Sequence, residues 1–171
     1  FFKQKTAYEM EWLPCLSDWL NDILNCRIRQ DGFKLRSLKA HQKISEMEFY
    51  MNCKELRPAE LNEFLHRHHY ARPEQIFTFA EIRGFIKGFI DLVFEHEGQY
   101  FVADYKSNFL GADKQDYTKA ACNEAMFEHH YHLQYLVYTL ALHRYLQRRV
   151  QGYDYEKHVG GVYYLFLRGL S

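Results

Sequence analysis

The sequence has few of the residues that interrupt or cross-link a chain. Its 171 residues include nine glycines and three prolines, which argues against a disordered or low-complexity protein. No apolar run reaches the roughly 18 residues that a membrane helix needs, so we expect no membrane partner. The 22 basic residues are balanced by 22 acidic residues, which argues against a nucleic-acid binder that depends on bulk positive charge alone.

Cysteines are also scarce and are not arranged as metal or redox motifs. The four are Cys15, Cys26, Cys53 and Cys122, and no two form a C-x-x-C pair. Neither a zinc ribbon nor a dithiol motif is therefore present. A domain of this size does not need disulfide cross-links. We expect buried free thiols in a reducing cytoplasm.

Aromatic residues are abundant, at 18% of the chain, and the hydrophobic pattern alternates between helix and strand. Helical spacing covers residues 8–28, with Pro14 expected in a first turn, residues 59–69, and residues 117–149 with a break near His129-His130. Strand patterns cover residues 43–53, 85–94, 99–106 and 160–167. The last run is almost continuously apolar, which predicts a strand inside the sheet. This order predicts an α/β fold, a mixed sheet flanked by helices, in a single domain over 1–171.

Two acidic residues and a lysine fall together if residues 85–106 form a hairpin. Glu97-Gly98 resembles the two-residue turns that hairpins favour, and a turn there places Asp91 opposite Asp104 on the neighbouring strand. Lys106 lies two residues from Asp104 and therefore shares its face. The prediction depends on this register, because a slip of one residue would separate the two aspartates.

The spacing of these residues is compatible with two interpretations of the cluster. Opposed carboxylates repel one another and are costly to bury without a partner. A divalent cation such as Mg²⁺ would remove the conflict, and a neighbouring lysine could then assist an attacking water. The alternative is that Lys106 simply forms ion pairs with both aspartates at a solvated end of the sheet.

The sequence also resembles a known family. Asp91 followed by Asp104-Tyr105-Lys106 is the D…(D/E)-x-K pattern of the PD-(D/E)XK nuclease superfamily, whose core is restriction-endonuclease-like. Residues 88–94, 104–108, 133–146 and 160–169 are similar, more specifically, to the nuclease domains of the RecB family, the β chains of exodeoxyribonuclease V. The resemblance extends from about residue 46 to residue 169, apart from residues 53–79.

The resemblance implies roles for individual residues. Asp91, Asp104 and Glu46 match the family's metal-binding acids, with Glu48 as the alternative to Glu46, and Lys106 matches the catalytic lysine. Gln134 and Tyr138 match the Q-x-x-x-Y motif, and their i, i+4 spacing places both on one helix face. On residue type alone, a tyrosine such as Tyr138 is more often a core aromatic and a glutamine such as Gln134 more often a helix-surface amide. Arg83 and Lys87, which precede Asp91, are candidate contacts to the DNA backbone. The family's upstream G-T-x-x-H motif has no counterpart here, which leaves the activity of these 171 residues alone undecided.

Other residue clusters give weaker indications. Some relatives bind an iron–sulfur cluster through four clustered cysteines, a spacing that this sequence lacks, so we predict no such cluster. The histidines at 66–69 and 129–132 offer only i, i+3 pairs, so we predict no zinc site. Arg144, Arg148 and Arg149, with Lys114 and Lys119, form either a surface that follows phosphates or a solvated helix end.

The resemblance predicts a Mg²⁺-dependent deoxyribonuclease in which Ca²⁺ or Mn²⁺ can substitute for binding. We expect a helical lead-in over 1–42 and a nuclease core over 43–169, excised from the C-terminal part of a larger helicase–nuclease subunit. Such a RecBCD-type enzyme processes double-strand DNA ends for recombinational repair in the bacterial cytoplasm. Its partners would be single strands of unwound DNA, RecC-like and RecD-like subunits and the parent helicase domains. The alternatives are a non-catalytic nuclease-fold module that binds DNA or a partner subunit, and another nuclease of the same superfamily.

Overall fold

The fold is a mixed four-stranded sheet with helices on both sides. A computed structural model describes residues 5–170 of the chain, with side chains from residue 13 onward. The elements are α1 (Lys5–Asn25), β1 (Lys43–Leu56), α2 (Pro58–Arg67), β2 (Ile82–His96), β3 (Gln99–Lys106), α3 (Lys119–Glu128), α4 (Tyr131–Gln147), α5 (Tyr155–His158), β4 (Val159–Phe166) and α6 (Leu167–Leu170). Among the described helices, none has both the length and the apolar character of a membrane span.

The strands follow one another in the order β1-β2-β3-β4, with β1, β2 and β3 antiparallel and β4 parallel to β3. This confirms the mixed sheet. The prediction that the last strand lies inside the sheet was wrong, because β4 is an edge strand of the described sheet. Its apolar run has another cause: both of its faces are covered, with Val162 packed against one core cluster and Leu165 buried in the other.

The β2–β3 hairpin turns at Glu97 and Gly98, whose φ angles of 53° and 79° are both left-handed. Two such residues form the turn that matches the twist of a hairpin. The turn sets the register that the sequence predicts, with His96 opposite Gln99 and Leu92 opposite Ala103. The pairing of β2 with β3 ends at Leu92 and Ala103, so Asp91 and Asp104 lie at the next position, where the two strands no longer pair. Beyond this point β2 continues as a two-stranded ribbon with β1, and we call the point of divergence the strand fork.

The alternation of side chains along β2 is interrupted at the strand fork. Ile90 and Val93 are three residues apart and yet belong to the same core cluster, whereas Leu92 belongs to the cluster on the other side. On β1, the neighbouring pairs place Glu46 opposite Asp91, and Glu46 has a left-handed φ of 52°. The acidic residues therefore lie where both strands depart from regular geometry, as bulged strands do beside functional sites.

Two hydrophobic clusters cover the two faces of the sheet. One packs α4 against β1–β3 and contains Met47, Phe49, Met51, Ile90, Val93, Val102, Tyr138, Ala141, Leu142 and Leu146. The other joins the strands to the segment after α1 and contains Phe33, Leu35, Leu92, Phe94, Phe101, Ala103 and Leu165. These clusters fix α4 over β3, and this places the helix residues of the candidate site.

The helical predictions are mostly confirmed. The long helical region is divided at His129 and His130, where His130 has a left-handed φ of 56°. The expectation that Pro14 lies in a first turn was wrong, because α1 runs through this residue. The cysteines carry free thiols, but none is fully buried: Cys15 is exposed and the other three are half-buried.

Gly160 provides a test of the packing between β4 and β3. A Cβ atom at this position would lie 2.1 Å from the ring of Phe101, which is 1% exposed. Because a buried ring cannot move away freely, we expect Gly160→Ala to lower the free energy of unfolding by about 1–3 kcal/mol, measured by urea denaturation. The double variant Gly160→Ala/Phe101→Leu should recover part of this loss. Equal stability of Gly160→Ala and wild type would contradict the packing.

Candidate active site at the strand fork

The strand fork brings Asp91 and Asp104 to the first unpaired position of their strands. Asp91 is half-buried, and its Oδ2 accepts a hydrogen bond of 2.9 Å from the backbone N–H of Tyr105. The Asp91 carboxylate thus accepts a hydrogen bond from a backbone N–H of β3 that lies beyond the last β2–β3 pair. This bond links the Asp91 carboxylate to the strand of Asp104.

Asp104 is the more buried of the two acids, with 2% of its surface exposed. Its Oδ1 accepts a hydrogen bond of 3.2 Å from Gln134 Nε2. Its Oδ2 is ion-paired with the ammonium of Lys106, whose Nζ lies 2.6 Å away. Burial raises the pKa of Asp104, the Lys106 charge opposes this rise, and the Asp91 charge adds to it.

Lys106 is buried at the end of β3, with 8% of its surface exposed. Its ammonium donates a hydrogen bond of 2.8 Å to Gln134 Oε1. The same nitrogen lies 3.7 Å from the ring centroid of Tyr131 and 5.2 Å from that of Tyr164. A cation over an aromatic face is stabilised by the ring quadrupole, so these two rings complete the environment of the lysine.

Gln134 and Tyr138 connect the two arms of the strand fork. Gln134 Nε2 also donates to the hydroxyl of Tyr138 at 2.9 Å, and that hydroxyl donates to the backbone carbonyl of Phe89 at 2.8 Å. Gln134 thereby contacts the acid and the lysine of β3, while Tyr138 contacts β2. Tyr138 is also a core residue, with its ring edge-on to Phe49 at 6.0 Å, so it belongs to the core and to the polar network at once.

The acidic residues of β1 differ in their surroundings. Glu48 pairs with Lys87 at 2.7 Å and accepts a hydrogen bond of 3.1 Å from Tyr50, and these two hydrogen bonds lower the pKa of Glu48. Glu46 is exposed and lies opposite Asp91 on the neighbouring strand. Since the Glu48 carboxylate is occupied by surface contacts, Glu46 stays the candidate for a third acid.

The three acids do not form a closed ligand group as they stand. Within the described side chains, the group of three ligand-type residues with atoms within 4.8 Å of one another is Asp31, His96 and Glu97, at the far end of the hairpin. Asp31 there already pairs with Arg29 at 2.8 Å, so this group is a surface ion-pair cluster. At the strand fork, the charge of Asp91 acts on Asp104, and the neighbouring strand pairs place Glu46 at the level of Asp91.

The two basic residues predicted to contact DNA lie on the ribbon and are engaged by carboxylates. Lys87 pairs with Glu48, as above. Arg83 pairs with Glu55 at 2.7 Å and with Glu81 at 2.6 Å. Neither cation contacts Asp91 or Asp104, so the structure places them along the ribbon and outside the acidic cluster.

A divalent metal ion fits the donors at the strand fork. Mg²⁺ prefers oxygen ligands and commonly uses one or two carboxylates with several waters. Asp104 is a buried carboxylate with one charged partner, the ammonium of Lys106 at 2.6 Å, and a second acid beside it adds negative charge that a cation would compensate. Asp91 is the neighbouring acid, and its charge acts on Asp104. The residues therefore match a site for a hard cation.

Sequence reasoning missed Tyr131 and Tyr164, the rings around Lys106. Their planes are 13° apart at a centroid distance of 5.9 Å, and the Tyr164 hydroxyl donates to the Tyr131 carbonyl at 3.1 Å. Burial raises the pKa of Tyr164. A signal for Tyr131 was present, because it precedes Gln134 by three residues and Tyr138 by seven and therefore shares their helix face. Tyr164 pairs with Asp104 across parallel strands, which no local pattern shows.

Comparison with known proteins agrees with this geometry. A family model of the PD-(D/E)XK nuclease superfamily matches residues 13–170, and the chain belongs to this superfamily. It is 46% identical over 167 residues to the RecBCD enzyme subunit RecB of Escherichia coli (strain K12), which covers 96% of this chain. It is 42% identical over 171 residues to the RecB subunit of Haemophilus influenzae, which covers 99% of it. The chain spans 14% of the length of each of these relatives.

The buried Asp104 predicts a pH dependence of stability in metal-free buffer. Because its pKa is raised in the folded state, folding favours the protonated form, and this contribution is lost as the pH rises from the ordinary value of 3.8 through the folded pKa. We therefore expect Asp104→Asn to be more stable than wild type at pH 7, with the difference vanishing at low pH. Urea unfolding in EDTA at a series of pH values measures this.

Asp154→Asn is a control whose effect on stability should have the opposite pH dependence, because hydrogen bonding to Lys157 lowers the pKa of Asp154. Its loss of stability should appear above the ordinary carboxyl pKa and disappear at low pH. If Asp104→Asn were less stable than wild type at pH 7, the ion pair with Lys106 would outweigh the cost of burial.

Tyr131 should act on nuclease activity through its ring and not through its hydroxyl. The ring face lies against Lys106, whereas the hydroxyl only donates to Asn108 Oδ1 at 3.1 Å. We expect Tyr131→Phe to keep most of the wild-type kcat and Tyr131→Leu to lower it about tenfold or more, with KM changed little. Steady-state cleavage kinetics test this, and equal effects of the two substitutions would contradict a positioning role of the ring.

Proposed function

We propose that this chain is the Mg²⁺-dependent DNA nuclease domain of a RecBCD-type helicase–nuclease. One observation carries the proposal: Asp104 and Lys106 are both buried and lie 2.6 Å apart where β2 and β3 stop pairing, and the charge of Asp91 acts on Asp104. Two acids and a lysine at a strand fork suit phosphodiester hydrolysis. A chain without this chemistry would gain from replacing the buried charges by apolar residues.

The residues of the chain have distinct tasks in this reaction. Asp91 and Asp104, with Glu46 beside them, would bind Mg²⁺, which when bound lowers the pKa of a coordinated water and polarises the scissile phosphate. The Tyr105 N–H fixes the orientation of Asp91. Lys106 presents a positive charge toward the attacking water and the developing charge on the phosphate.

The position of Lys106 is set by three side chains. Asp104 supplies the opposite charge, Gln134 accepts a hydrogen bond, and the ring of Tyr131 covers the ammonium. An ammonium with a prepared environment does not have to reorganise when the reaction proceeds, and such preorganisation is a large part of catalysis by charged groups. Gln134 is therefore a positioning residue for both Asp104 and Lys106.

The wider role rests on the similarity to RecB subunits. In a RecBCD-type enzyme, this domain would cut single strands delivered by the helicase domains while double-strand ends are processed for recombinational repair. RecC-like and RecD-like subunits would be its partners, in the bacterial cytoplasm. The extent of the similarity, 96% of this chain with E. coli RecB, favours this assignment over another branch of the superfamily.

The proposal predicts both metal binding and metal-dependent cleavage. Calorimetric titration with Mg²⁺ should show saturable binding to wild type and to Lys106→Ala, and none to Asp104→Ala. Cleavage of single-stranded DNA in Mg²⁺ should fall by about 10²–10⁴ in both variants. Lys106→Ala thus distinguishes a loss of catalysis from a loss of metal binding, because it removes the ammonium and keeps the carboxylates.

The third acid is tested by a matched pair of substitutions on β1. Glu46→Gln should weaken Mg²⁺ binding, whereas Glu48→Gln, two residues along the same strand, should leave it unchanged because Glu48 is occupied by Lys87. The reverse result would assign the ligand to Glu48. Saturable DNA binding without any cleavage by wild type would favour the non-catalytic module, and the absence of both metal binding and DNA binding would overturn the proposal.

A further inference from the structure

The connection between α2 and β2 is fixed to the protein on two sides. It runs through residues 68–81 without a helix or a strand. Residues 72–77, which we call the strap, have hydrogen bonds both to α2 and to the corner at which α3 meets α4. Connecting segments are usually more mobile than the elements they join, so a connection held on two sides indicates a structural task.

Two side chains of α2 hold the strap. Asn62 and Phe77 form a reciprocal pair, in which Asn62 Nδ2 donates to the Phe77 carbonyl at 2.9 Å and Asn62 Oδ1 accepts from the Phe77 N–H at 2.8 Å. His66 Nε2 lies 2.9 Å from the Gln75 carbonyl. Because α2 is itself anchored by Leu65, which is 1% exposed, the strap has a fixed base.

Gln75 connects the strap to the α3–α4 corner. Its Nε2 donates a hydrogen bond of 2.6 Å to the carbonyl of Phe127, in the last turn of α3. The same carbonyl accepts the N–H of His130 at 3.1 Å, and Gln75 Nε2 lies 3.4 Å from His130 Nδ1. The ring of Phe77 contacts His130 as well, at a centroid distance of 4.7 Å. Two residues of the strap therefore contact the residue at which the chain turns into α4.

Arg72 reinforces the attachment to α3. Its guanidinium pairs with Glu124 and lies 5.1 Å from the ring centroid of Phe127. Its backbone N–H donates to Gln75 Oε1 at 3.0 Å. Both ends of the Gln75 amide are thus engaged, and this fixes the direction in which its Nε2 donates.

The α3–α4 corner needs support because of its backbone conformation. His130 has a left-handed φ of 56°, and its side chain makes no capping hydrogen bond to α4. Residues other than glycine adopt this conformation at an energetic cost and keep it where their surroundings enforce it. The next residue is Tyr131, whose ring lies on the ammonium of Lys106 at 3.7 Å. A shift of the corner would therefore move the ring that covers the lysine.

We propose that Gln75 is a positioning residue for the nuclease reaction, because it holds the α3–α4 corner and so keeps the ring of Tyr131 on Lys106. The inference rests on the proposed nuclease function and extends it to residues outside the strand fork. Among the described contacts of Gln75, none is with Asp91, Asp104 or Lys106, so its effect on the reaction passes through the corner. A displacement of about 1 Å in a positioned group lowers the rate of a reaction strongly, so the loss of this support should be visible in kcat.

The test removes the hydrogen bonds of Gln75 in two ways. Gln75→Met keeps the length of the side chain, and Gln75→Ala shortens it. We expect each to lower kcat for Mg²⁺-dependent cleavage of single-stranded DNA about threefold to tenfold, with KM changed little. The Mg²⁺ affinity measured by calorimetry should be unchanged, because the acids lie on strands that Gln75 does not contact.

Gln99→Ala is the matched control. Gln99 Nε2 also donates to a distant backbone carbonyl, that of Lys157 at 3.4 Å, but it does so at the far end of the hairpin. This substitution should leave kcat unchanged. All variants are assayed at a temperature at which circular dichroism shows them to be folded, so that a lower kcat does not report unfolding.

A double substitution with Tyr131→Leu separates positioning from a general effect on stability. If Gln75 acts through the ring, Gln75→Met should lower kcat by less than about twofold in the Tyr131→Leu background, because the ring that it positions is already absent. Equal losses in the two backgrounds, or a wild-type kcat for Gln75→Met, would overturn the inference and leave Gln75 with a role in stability alone. The nuclease function would survive that result, whereas no cleavage by wild type would overturn both.

Discussion

The divergence of β2 and β3 after Leu92 and Ala103 is the constraint on which the rest of this structure depends. Pairing that continued by one more position would fill the space between Asp91 and Asp104 with strand hydrogen bonds. Instead, the Asp91 carboxylate accepts a hydrogen bond from the N–H of Tyr105, and the Tyr138 hydroxyl donates one to the carbonyl of Phe89. Backbone groups released by the separation are thus paired with side chains, which removes the cost of leaving them unsatisfied in a buried place.

The separation also explains why costly groups can be buried together. Asp104 and Lys106 are both almost inaccessible to water, and burial of a lone charge is highly unfavourable. Each charge here has the other as a partner, and Gln134 binds both. Asp91 adds a second negative charge beside this pair, and the excess of negative charge points to a cation. The same divergence leaves β1 and β2 as a two-stranded ribbon beyond the strand fork.

Much of this arrangement could be predicted from local patterns. The two-residue turn sets the hairpin register, and the register places Asp91 at the level of Asp104. The i, i+4 spacing of Gln134 and Tyr138 places both on one face of α4. Two predictions were wrong because no local pattern decides them. The position of β4 at the edge of the sheet depends on which strands it pairs with. Pro14 was expected in the first turn of a helix, but α1 begins earlier and runs through it. Tyr164 reaches Lys106 only because β4 runs parallel to β3.

The sequence by itself determined the long helices, the four strands, the hairpin register and the resemblance to RecB-type nucleases, because each of these depends on residues close together in the chain or on motif spacing. Only the tertiary structure decided that Gln134 contacts Asp104 and Lys106 and that Tyr131 covers the lysine. These contacts join residues that are 25 to 30 positions apart, and their distances depend on how α4 packs on β3. Packing of a helix on a sheet is set by the whole core, which no single segment encodes.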